Sequence, residues 1–240
     1  MRKDFANMKV LCLETATPVC SVALNDACCT LALRESEGQN VHSEKITNFI
    51  REVMETTGLD YGQLDAVAVS KGPGSYTGLR IGVSTAKGIC YGADLPLMAI
   101  DTLEAMAYGM RDKLGSLLQP TDLLIPMIDA RRMEVYCSVF DASLKRLSDT
   151  EAKVIDTESF KAMEDRRLWL FGDGAPKLKD LFADRPEINI VEGFKPSAGY
   201  MRALAERALK DHDFVDVAYF EPFYLKDFVA GKPHVKGIDH

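Results

Sequence analysis

The chain has no long hydrophobic run and no cluster of positive charge. No apolar stretch approaches the roughly 18 residues that a membrane-spanning helix needs, and Asp4 and Asn7 interrupt the N-terminus before any apolar segment begins. The N-terminus does not resemble a secretory signal, so a cytoplasmic protein is expected. The 29 Lys and Arg are outnumbered by 36 Asp and Glu, which gives a net charge of −7. Because surfaces that bind nucleic acid concentrate Lys and Arg, direct binding of nucleic acid is not expected.

The chain also lacks the cysteine and histidine spacings of metal sites. Its six cysteines contain no C-x-x-C pair, and most lie in apolar segments typical of strands. They are interpreted as buried free thiols of a reducing compartment. The four histidines are scattered and are never spaced as a ligand pair on one helix. We therefore expect no metal site and no cofactor.

What the chain does have is a succession of short strands and amphipathic helices that occurs twice. The order is strand-strand-strand-helix-strand-helix, first near residues 1–100 and again over 121–211. The apolar spacing predicts strands at 9–14, 20–25, 28–33, 65–70, 97–100, 123–128, 134–140, 152–155 and 168–171. It predicts helices from about Ser43 (as N-cap) to Gly58, at 79–92, 102–113 and 159–164, after Gly172-Asp173-Gly174, and at 198–210.

Two such halves side by side form the two-lobed α/β fold of actin and the sugar kinases, in which glycine turns face a cleft between the lobes. We expect residues 1–101 to form the N-terminal lobe, with 212–229 as a candidate for completing it. Residues 102–211 are expected to form the C-terminal lobe. The tail 230–240 is expected to be disordered.

The glycine loop SKGPGSYTGLRIG, which starts at Ser70, leads from a predicted strand into a predicted helix. It fits neither the Walker A spacing nor the dinucleotide spacing, because Thr77 occupies the position where each pattern requires glycine. A loop of this kind at a helix N-terminus can hold an anion, and Arg80 would add positive charge. The alternative is a tight turn onto a helix that packs closely against its neighbour. The glycines of the following helix favour close approach of another backbone.

Several segments together resemble the TsaB family, also called YeaZ. They are LETAT at 13–17, VHSEKI at 41–46, GPGSYTGLRIG at 72–82, IDARRMEVYCSVF at 128–140 and EPFYLKD at 221–227, where Lys226 replaces the arginine of the family motif. The resemblance covers about residues 8–227. It implies the two-lobed fold and a role as an accessory subunit in making N6-threonylcarbamoyladenosine in tRNA. It also implies two partners, the transferase TsaD and the small ATPase TsaE.

The resemblance further implies an inactive relative of TsaD. In TsaD the glycine loop is followed by a helix, a short strand and a second helix, and that second helix carries an H-x-x-x-H metal-binding pair. In this chain Thr102 and Met106 stand where those histidines would be, with Glu104 between them. A threonine hydroxyl and a thioether are poor ligands for a hard divalent ion. Met106 instead extends an apolar stripe with Leu103 and Met110. No catalytic residue is therefore assigned.

Loops that correspond to nucleotide-binding turns are expected to survive as vestiges. Glu14 either orients water or an ion or is a solvated or capping carboxylate, and the same alternatives apply to Asp129 at the matching turn of the second lobe. Gly172 and Gly174 lie at the adenosine-loop position, where a plain strand-to-helix turn explains them equally well. The full set of vestigial positions is Glu14, Thr15, Gly72, Gly74, Arg80, Asp129, Gly172 and Gly174.

Pairing with TsaD is expected through the N-terminal lobe, by the helix after the third strand and the glycine-rich helix. The predicted contact residues are Glu44, Thr47, Ile50, Arg51, Met54, Gly82 and Ala86. The inner side of the apolar stripe is expected to be core. The isolated protein is expected to form a homodimer, and tRNA is expected to be met only through the complex.

Two enzymatic alternatives remain open at this point. A peptidase would use Ser70 or Ser75 as nucleophile, but no histidine lies near either in sequence. A stand-alone nucleotide-binding enzyme would use the glycine loop.

Overall fold

The computed structural model describes residues 8–38 and 40–226. Its strands are β1 Val10–Glu14, β2 Val19–Asn25, β3 Thr30–Glu37, β4 Ala66–Gly72, β5 Leu97–Asp101, β6 Leu123–Asp129, β7 Glu134–Cys137, β8 Phe140–Asp141, β9 Glu151–Val154, β10 Leu168–Phe171 and β11 Ile188–Val191. Its α-helices are α1 Val41–Thr57, α2 Tyr76–Ala93, α3 Thr102–Leu114 and α4 Arg202–Asp211. Short 3-10 helices lie at Tyr61–Gln63, Gly115–Leu117, Lys161–Met163, Pro176–Leu178 and Ala198–Met201.

The strands form two sheets that repeat one topology. The first sheet has the order β3-β2-β1-β4-β5, and the second has β9-β7-β6-β10-β11, with β8 paired to β6. In each sheet the first three strands of that order are antiparallel neighbours and the other two pairings along the order are parallel. The additional strand β8 is antiparallel to β6. The predicted two-lobed actin and sugar-kinase fold is therefore confirmed by the repeated strand order.

The first lobe buries its sheet on both faces. On one face, α1 and α2 cover β1, β2 and β4 with Ile46, Ile50, Val53, Val83 and Ala86. Helix α1 ends where predicted, at Gly58 in the left-handed conformation. Its start was predicted wrongly: the N-cap position is Asn40, and the Ser43 hydroxyl donates to the Asn40 carbonyl oxygen at 3.0 Å within the first turn.

The opposite face of the first sheet is covered by chain that was assigned to the second lobe. Met201, Leu204 and Ala205, from the end of the second half, pack against Val10 and Ala68. The boundary of 102–211 is therefore wrong for residues 198–211. Val215 forms a bridge with Leu97, so the following chain also lies on the first lobe.

Helix α3 lies between the two sheets. Leu103, Met106 and Met110 pack against Leu124 and Phe171 of the second sheet, while Ala105 belongs to the core of the first. The helix therefore connects the hydrophobic cores of both lobes.

Three predictions for the second lobe are wrong. The strand predicted at 134–140 is split into β7 and β8, because Ser138 and Val139 turn aside to hydrogen bond with Ser148. The helices predicted at 159–164 and after Gly174 are only 3-10 turns. Strand β11 was not predicted.

Within the residues that the structure describes, none of the helices has both the length and the apolar character that crossing a membrane requires. The predicted disordered tail at 230–240 lies outside the described residues.

Candidate functional site

A cleft of about 530 Å³ opens between the lobes, at the ends of β1 and β6. It is lined by the β1–β2 turn, the N-terminus of α2, the β6–β7 turn and the segment 224–226. Its side chains are Thr17, Ser75, Tyr76, Thr77, Ile128, Asp129, Arg131, Tyr136, Asp173, Tyr224, Leu225 and Lys226. The cleft therefore offers aromatic faces and cations, with two carboxylates opposite them.

The glycine loop is packed against the chain's own backbone. A Cβ on Gly74 would lie 2.2 Å from the Ala16 carbonyl oxygen, and one on Gly78 would lie 2.1 Å from the Thr15 carbonyl oxygen. The Ser75 N–H donates to that same Ala16 oxygen at 2.6 Å, and the Ser75 hydroxyl accepts from the Gly78 N–H at 3.2 Å. Protein oxygens thus occupy donors that an anion would use at this helix N-terminus.

Gly72, the last residue of β4, allows the chain to pass close to Phe223 and to the start of α3. Its φ is +108°, and a Cβ there would lie 2.7 Å from the Phe223 carbonyl oxygen. Its N–H donates to the buried Thr102 hydroxyl at 3.2 Å. The conformation and the close approach both require glycine.

Arg80 does not reach the cleft, contrary to its predicted role. Its guanidinium stacks over the Tyr76 ring, 4.1 Å from the ring centroid, and its Nε donates to the Tyr224 hydroxyl at 3.2 Å. The Tyr76 and Tyr224 rings lie 4.7 Å apart. Arg80 therefore fastens the segment 221–226 onto helix α2.

Glu14 is a capping carboxylate rather than an exposed one. Its side chain is 1% exposed, and it accepts a hydrogen bond from the Ala16 N–H at 2.6 Å. Burial raises the pKa of Glu14 to about 7, although the Ala16 N–H and the Ser70 hydroxyl partly oppose this shift. Thr15 is also buried, and its hydroxyl has no hydrogen-bond partner among the described residues. Both residues lie beneath the cleft and do not line it.

The second-lobe turn pairs its charges internally. Asp129 lies at the end of β6 and forms an ion pair with Lys177, while its N–H donates to the Asp173 carboxylate at 3.0 Å. Crowding by surrounding protein, together with the Asp129 charge, raises the pKa of Asp173, although its side chain reaches the cleft surface. Arg131 also faces the cleft, from the β6–β7 turn.

Gly172 and Gly174 are explained by packing. A Cβ on Gly172, where φ is +106°, would lie 2.2 Å from the Met127 carbonyl oxygen, and one on Gly174 would lie 3.0 Å from the Ile128 carbonyl carbon. Neither glycine lines the cleft. The turn interpretation therefore accounts for both positions without a ligand.

The two positions in place of histidine are both buried. Thr102 accepts the Gly72 N–H, and Met106 is 1% exposed within the core around α3. Across residues 8–38 and 40–226, no group of three or more His, Cys, Asp and Glu side chains is arranged to hold a metal ion.

The candidate serine nucleophiles are occupied as well. Ser70 is fully buried and accepts the Thr15 N–H at 3.2 Å, and Ser75 caps α2. His42 lies 3.1 Å from the Val19 carbonyl oxygen, and His212 lies against Phe214. No serine–histidine pair is present among these described residues.

Sequence reasoning missed that the segment 221–226 closes one side of the cleft. The Phe223 N–H donates to the Lys71 carbonyl oxygen at 2.7 Å in the first lobe, and Lys226 pairs with Glu134 in the second. We call residues 221–226 the strap. The motif EPFYLK was visible in the sequence, but its contacts across the cleft were not.

The predicted partner residues fall into two groups. Glu44, Thr47 and Arg51 are exposed along one side of α1. In contrast, Ile50, Met54, Gly82 and Ala86 are buried in the first lobe, so their selection as contact residues was wrong. Gly82 lies against Thr15 of its own chain, since a Cβ there would approach the Thr15 hydroxyl to 2.2 Å. Beyond Thr77 and Arg80 in its first turns, the exposed positions of α2 are Ser84, Gly88, Tyr91 and Gly92.

The sequence is similar to proteins that act in one pathway of tRNA modification. The family model described as "TsaD: tRNA N6-adenosine threonylcarbamoyltransferase" matches residues 36–219. The TsaB proteins of Haemophilus influenzae and Escherichia coli K12, each described as a tRNA threonylcarbamoyladenosine biosynthesis protein, are 31% identical, over 94% of this chain and 97% of theirs. A tRNA N6-adenosine threonylcarbamoyltransferase of Erythrobacter litoralis is 30% identical over 74% of this chain and 53% of its own length.

Solved structures agree on the fold. YeaZ from Pseudomonas aeruginosa has a TM-score of 0.73 at 23% identity. An uncharacterized protein from the same organism, with similarity to peptidase YEAZ, has a TM-score of 0.74 at 21% identity. Each comparison covers 91% of this chain and all of the solved chain. Given the full-length match to its sequence relatives, the chain belongs to the TsaB family of tRNA threonylcarbamoyladenosine biosynthesis proteins.

Proposed function

We propose that the protein is a non-catalytic subunit of the assembly that forms threonylcarbamoyladenosine in tRNA. It binds and stabilises a transferase subunit of the TsaD type, which modifies the adenosine beside the anticodon. The chain itself supplies neither the metal nor the reacting groups. The assembly works in the cytoplasm, with TsaE as its third member, and this chain meets tRNA only through the complex.

The position of Met106 is the observation that carries the proposal. A methionine thioether that fills the core between two lobes cannot be replaced by a metal-bound imidazole without opening that core. Thr102 is likewise committed to the Gly72 N–H. The burial of Met106 and the hydrogen bond of Thr102 support a subunit that keeps the two-lobed shape without metal chemistry.

The exposed faces of α1 and α2 support a docking surface on the first lobe. We define the helix face as Glu44, Thr47 and Arg51 of α1 with Ser84, Gly88 and Tyr91 of α2. Tyr91 is 88% exposed, and aromatic residues of this kind are enriched in the centres of interfaces. A Cβ on Gly88 would meet no atom within 4 Å, which leaves room for close approach of a partner helix. The same face is the proposed contact in a homodimer of the isolated chain.

The test is co-purification with the TsaD-type transferase of the same organism, followed by a tRNA modification assay. The expected result is co-elution of the two proteins, and modification by the transferase that depends on addition of this chain. Threonylcarbamoyl transfer by this chain alone would overturn the proposal, as would failure of the two proteins to associate.

Gly88→Gln gives a sharper test of the surface. The new side chain projects from an exposed helical position, so the free protein stays folded while partner binding falls. Gly62→Gln is the matched control, because a Cβ on Gly62 also meets no atom within 4 Å and the residue lies outside both helices. Equal binding by the two variants would show that the transferase docks elsewhere.

A further inference from the structure

Two adjacent cysteines lie on the surface, in the turn between β2 and β3. Cys28 and Cys29 are exposed, whereas Cys12, Cys20, Cys90 and Cys137 are all buried. All six were predicted to be buried, which is wrong for Cys28 and Cys29. The structure separates them into a buried set of four and an exposed pair.

Burial makes the other four thiols unreactive. It raises the pKa of Cys12 and Cys137 to about 12 and that of Cys20 and Cys90 to about 11. Because the thiolate is the form that attacks electrophiles and binds soft metals, these groups are almost entirely protonated at neutral pH and are shielded from reagents. Thiol chemistry on the folded protein is therefore directed to the exposed turn.

The turn is held in one conformation by Asp26. Its carboxylate accepts the N–H groups of Cys28 and Cys29, each at 2.7 Å, and its own N–H donates to the Cys29 carbonyl oxygen at 2.9 Å. The ends of the turn are tied to other elements. Arg202 donates to the Ala27 carbonyl oxygen at 2.8 Å, and Lys9 pairs with Asp26 at 3.7 Å.

This conformation places both thiols on the same exposed turn. In a continuous strand, successive side chains point to opposite faces of the sheet, but Cys28 and Cys29 precede the first residue of β3 and both reach solvent. Two thiols on neighbouring residues of a fixed turn can bind one central atom together, provided that this atom accepts two sulfur ligands at a bent S–X–S angle.

We infer that Cys28 and Cys29 form a vicinal-dithiol site for a soft, trivalent thiophilic centre, of which an organoarsenical is the type. In the described parts of the chain no group of three His, Cys, Asp or Glu residues could hold a metal ion, so the centre is bound by two sulfurs and brings its remaining substituent with it. This excludes ions that need three or four protein ligands, such as structural Zn²⁺.

The binding step is balanced without any oxidant. An arsenic–oxygen centre R–As=O reacts with the two thiols to give R–As(S–Cys)₂ and one water. Two As–S bonds form as the As=O bond breaks, and the two thiol protons leave with the oxygen. Arsenic stays trivalent, and neither sulfur changes its oxidation state.

The test uses the full chain with phenylarsine oxide as the probe. We expect one equivalent to block both thiols that react rapidly with a maleimide in the native protein. A small dithiol such as 2,3-dimercaptopropanol should release the arsenical, and a monothiol at the same concentration should not. Binding of two equivalents, or peptide mapping that places the arsenical on a buried cysteine, would overturn the inference.

Serine variants separate chelation from ordinary thiol reactivity. Cys28→Ser and Cys29→Ser each leave one exposed thiol, so affinity for the arsenical should fall by about 10²–10⁴, the gain that joining two binding groups provides. Cys20→Ala, which removes a buried thiol from the same hairpin, is the matched control and should bind like the parent. Circular dichroism checks that each variant is folded. Single variants that keep the parent affinity would show that the two sulfurs do not act together.

Discussion

The two lobes share a strand order but differ in what joins their strands. In the first lobe, α1, α2 and the start of α3 connect and cover the sheet with full α-helices. The matching connections of the second lobe are turns and 3-10 helices, such as Lys161–Met163 and Pro176–Leu178. A helix presents an exposed face to a partner while its inner face stays in the core. The difference is consistent with placing the docking surface on the first lobe.

The loops at the cleft, by contrast, are alike in the two lobes, because in each lobe a glycine allows close approach to a backbone carbonyl oxygen. In the first lobe, Gly78 lets α2 approach the Thr15 carbonyl oxygen; in the second, Gly172 lets its turn approach the Met127 carbonyl oxygen. In each case glycine serves contact within the chain. The repeated glycine turns thus follow from two sheets of equal topology, each needing a tight exit from a central strand.

The largest expected effect is the loss of stability when either of these two glycines is replaced by alanine. Gly78→Ala and Gly172→Ala would place a Cβ at 2.1 and 2.2 Å from backbone carbonyl oxygens that cannot move aside without shifting a strand end. Each should cost about 4 kcal/mol or more of unfolding free energy, at the exceptional end for single substitutions. Urea unfolding followed by circular dichroism measures the loss.

Gly88→Ala is the matched control for that experiment. Gly88 lies on the same helix as Gly78, but a Cβ there meets no atom within 4 Å. Because alanine is the better helix former, this variant should gain up to about 1 kcal/mol. If Gly78→Ala or Gly172→Ala unfolds like the parent, close backbone packing is not what requires the glycine.

The second prediction contrasts one buried carboxyl group in each lobe. Glu14, in the first lobe, has its pKa raised by burial to about 7 from about 4.5. Asp122, in the second, is also buried, but hydrogen bonds from Arg167, Gln119 N–H and Trp169 outweigh the burial and lower its pKa. The two groups should therefore give opposite dependences of stability on pH.

For Glu14, the protonated form is favoured in the folded chain. The stability that this group contributes is complete below about pH 4.5 and is lost as the pH rises through 7. Glu14→Gln removes this dependence, so the variant should gain about 3 kcal/mol relative to the parent between pH 4.5 and 8. Urea unfolding at both pH values measures it. A constant difference between variant and parent would show that Glu14 titrates as an ordinary carboxyl.

For Asp122, the dependence of stability on pH has the opposite sign. The stability from its ionised form is present above the ordinary carboxyl range and is lost as the pH falls through the lowered value in the folded chain. Asp122→Asn should therefore destabilise the protein at pH 7, with a deficit that shrinks toward pH 3. A deficit that does not change with pH would assign the effect of the substitution to packing alone.

The sequence predicted the first lobe better than the second because its elements carry local signals. The stripe Ile46, Ile50 and Val53 defines α1, and Gly58 ends it. Near Gly172 such signals mislead. The apolar residues Leu178 and Phe182 suggest a helix, but the chain must return to pair β11 in parallel with β10 and closes 3-10 bonds on the way. Spacing alone does not reveal that constraint.

The candidate site was only partly predictable for a related reason. Asp129 lines the cleft whereas Glu14 lies beneath it. The two side chains that contact Asp129, those of Lys177 and Asp173, lie 48 and 44 residues later in sequence. Arg80 turns from the cleft because Tyr224, 144 residues later, accepts its hydrogen bond. Burial of Ile50 and Met54 was foreseeable from their helical stripe, whereas the buried Gly82 and Ala86 face the Thr15 turn and the sheet. Contacts of this kind arise only from the folded chain.

The smallest expected effect concerns the strap, which forms a polar link from the first lobe to the second beside the cleft. Lys226→Ala removes its ion pair with Glu134, whose side chains are 40% and 21% exposed. An ion pair so open to solvent should contribute less than about 1 kcal/mol, and raising the salt concentration should shrink the difference from the parent. Tyr224→Ala is the variant for comparison, because it removes both the Tyr76 ring contact and the Arg80 hydrogen bond on the first lobe. Thermal unfolding of both variants and the parent, at low and high salt, measures the loss of stability in each variant. If Lys226→Ala costs as much as Tyr224→Ala, the strap is held mainly by the second lobe, and the lobes are coupled across the cleft more strongly than their contacts indicate.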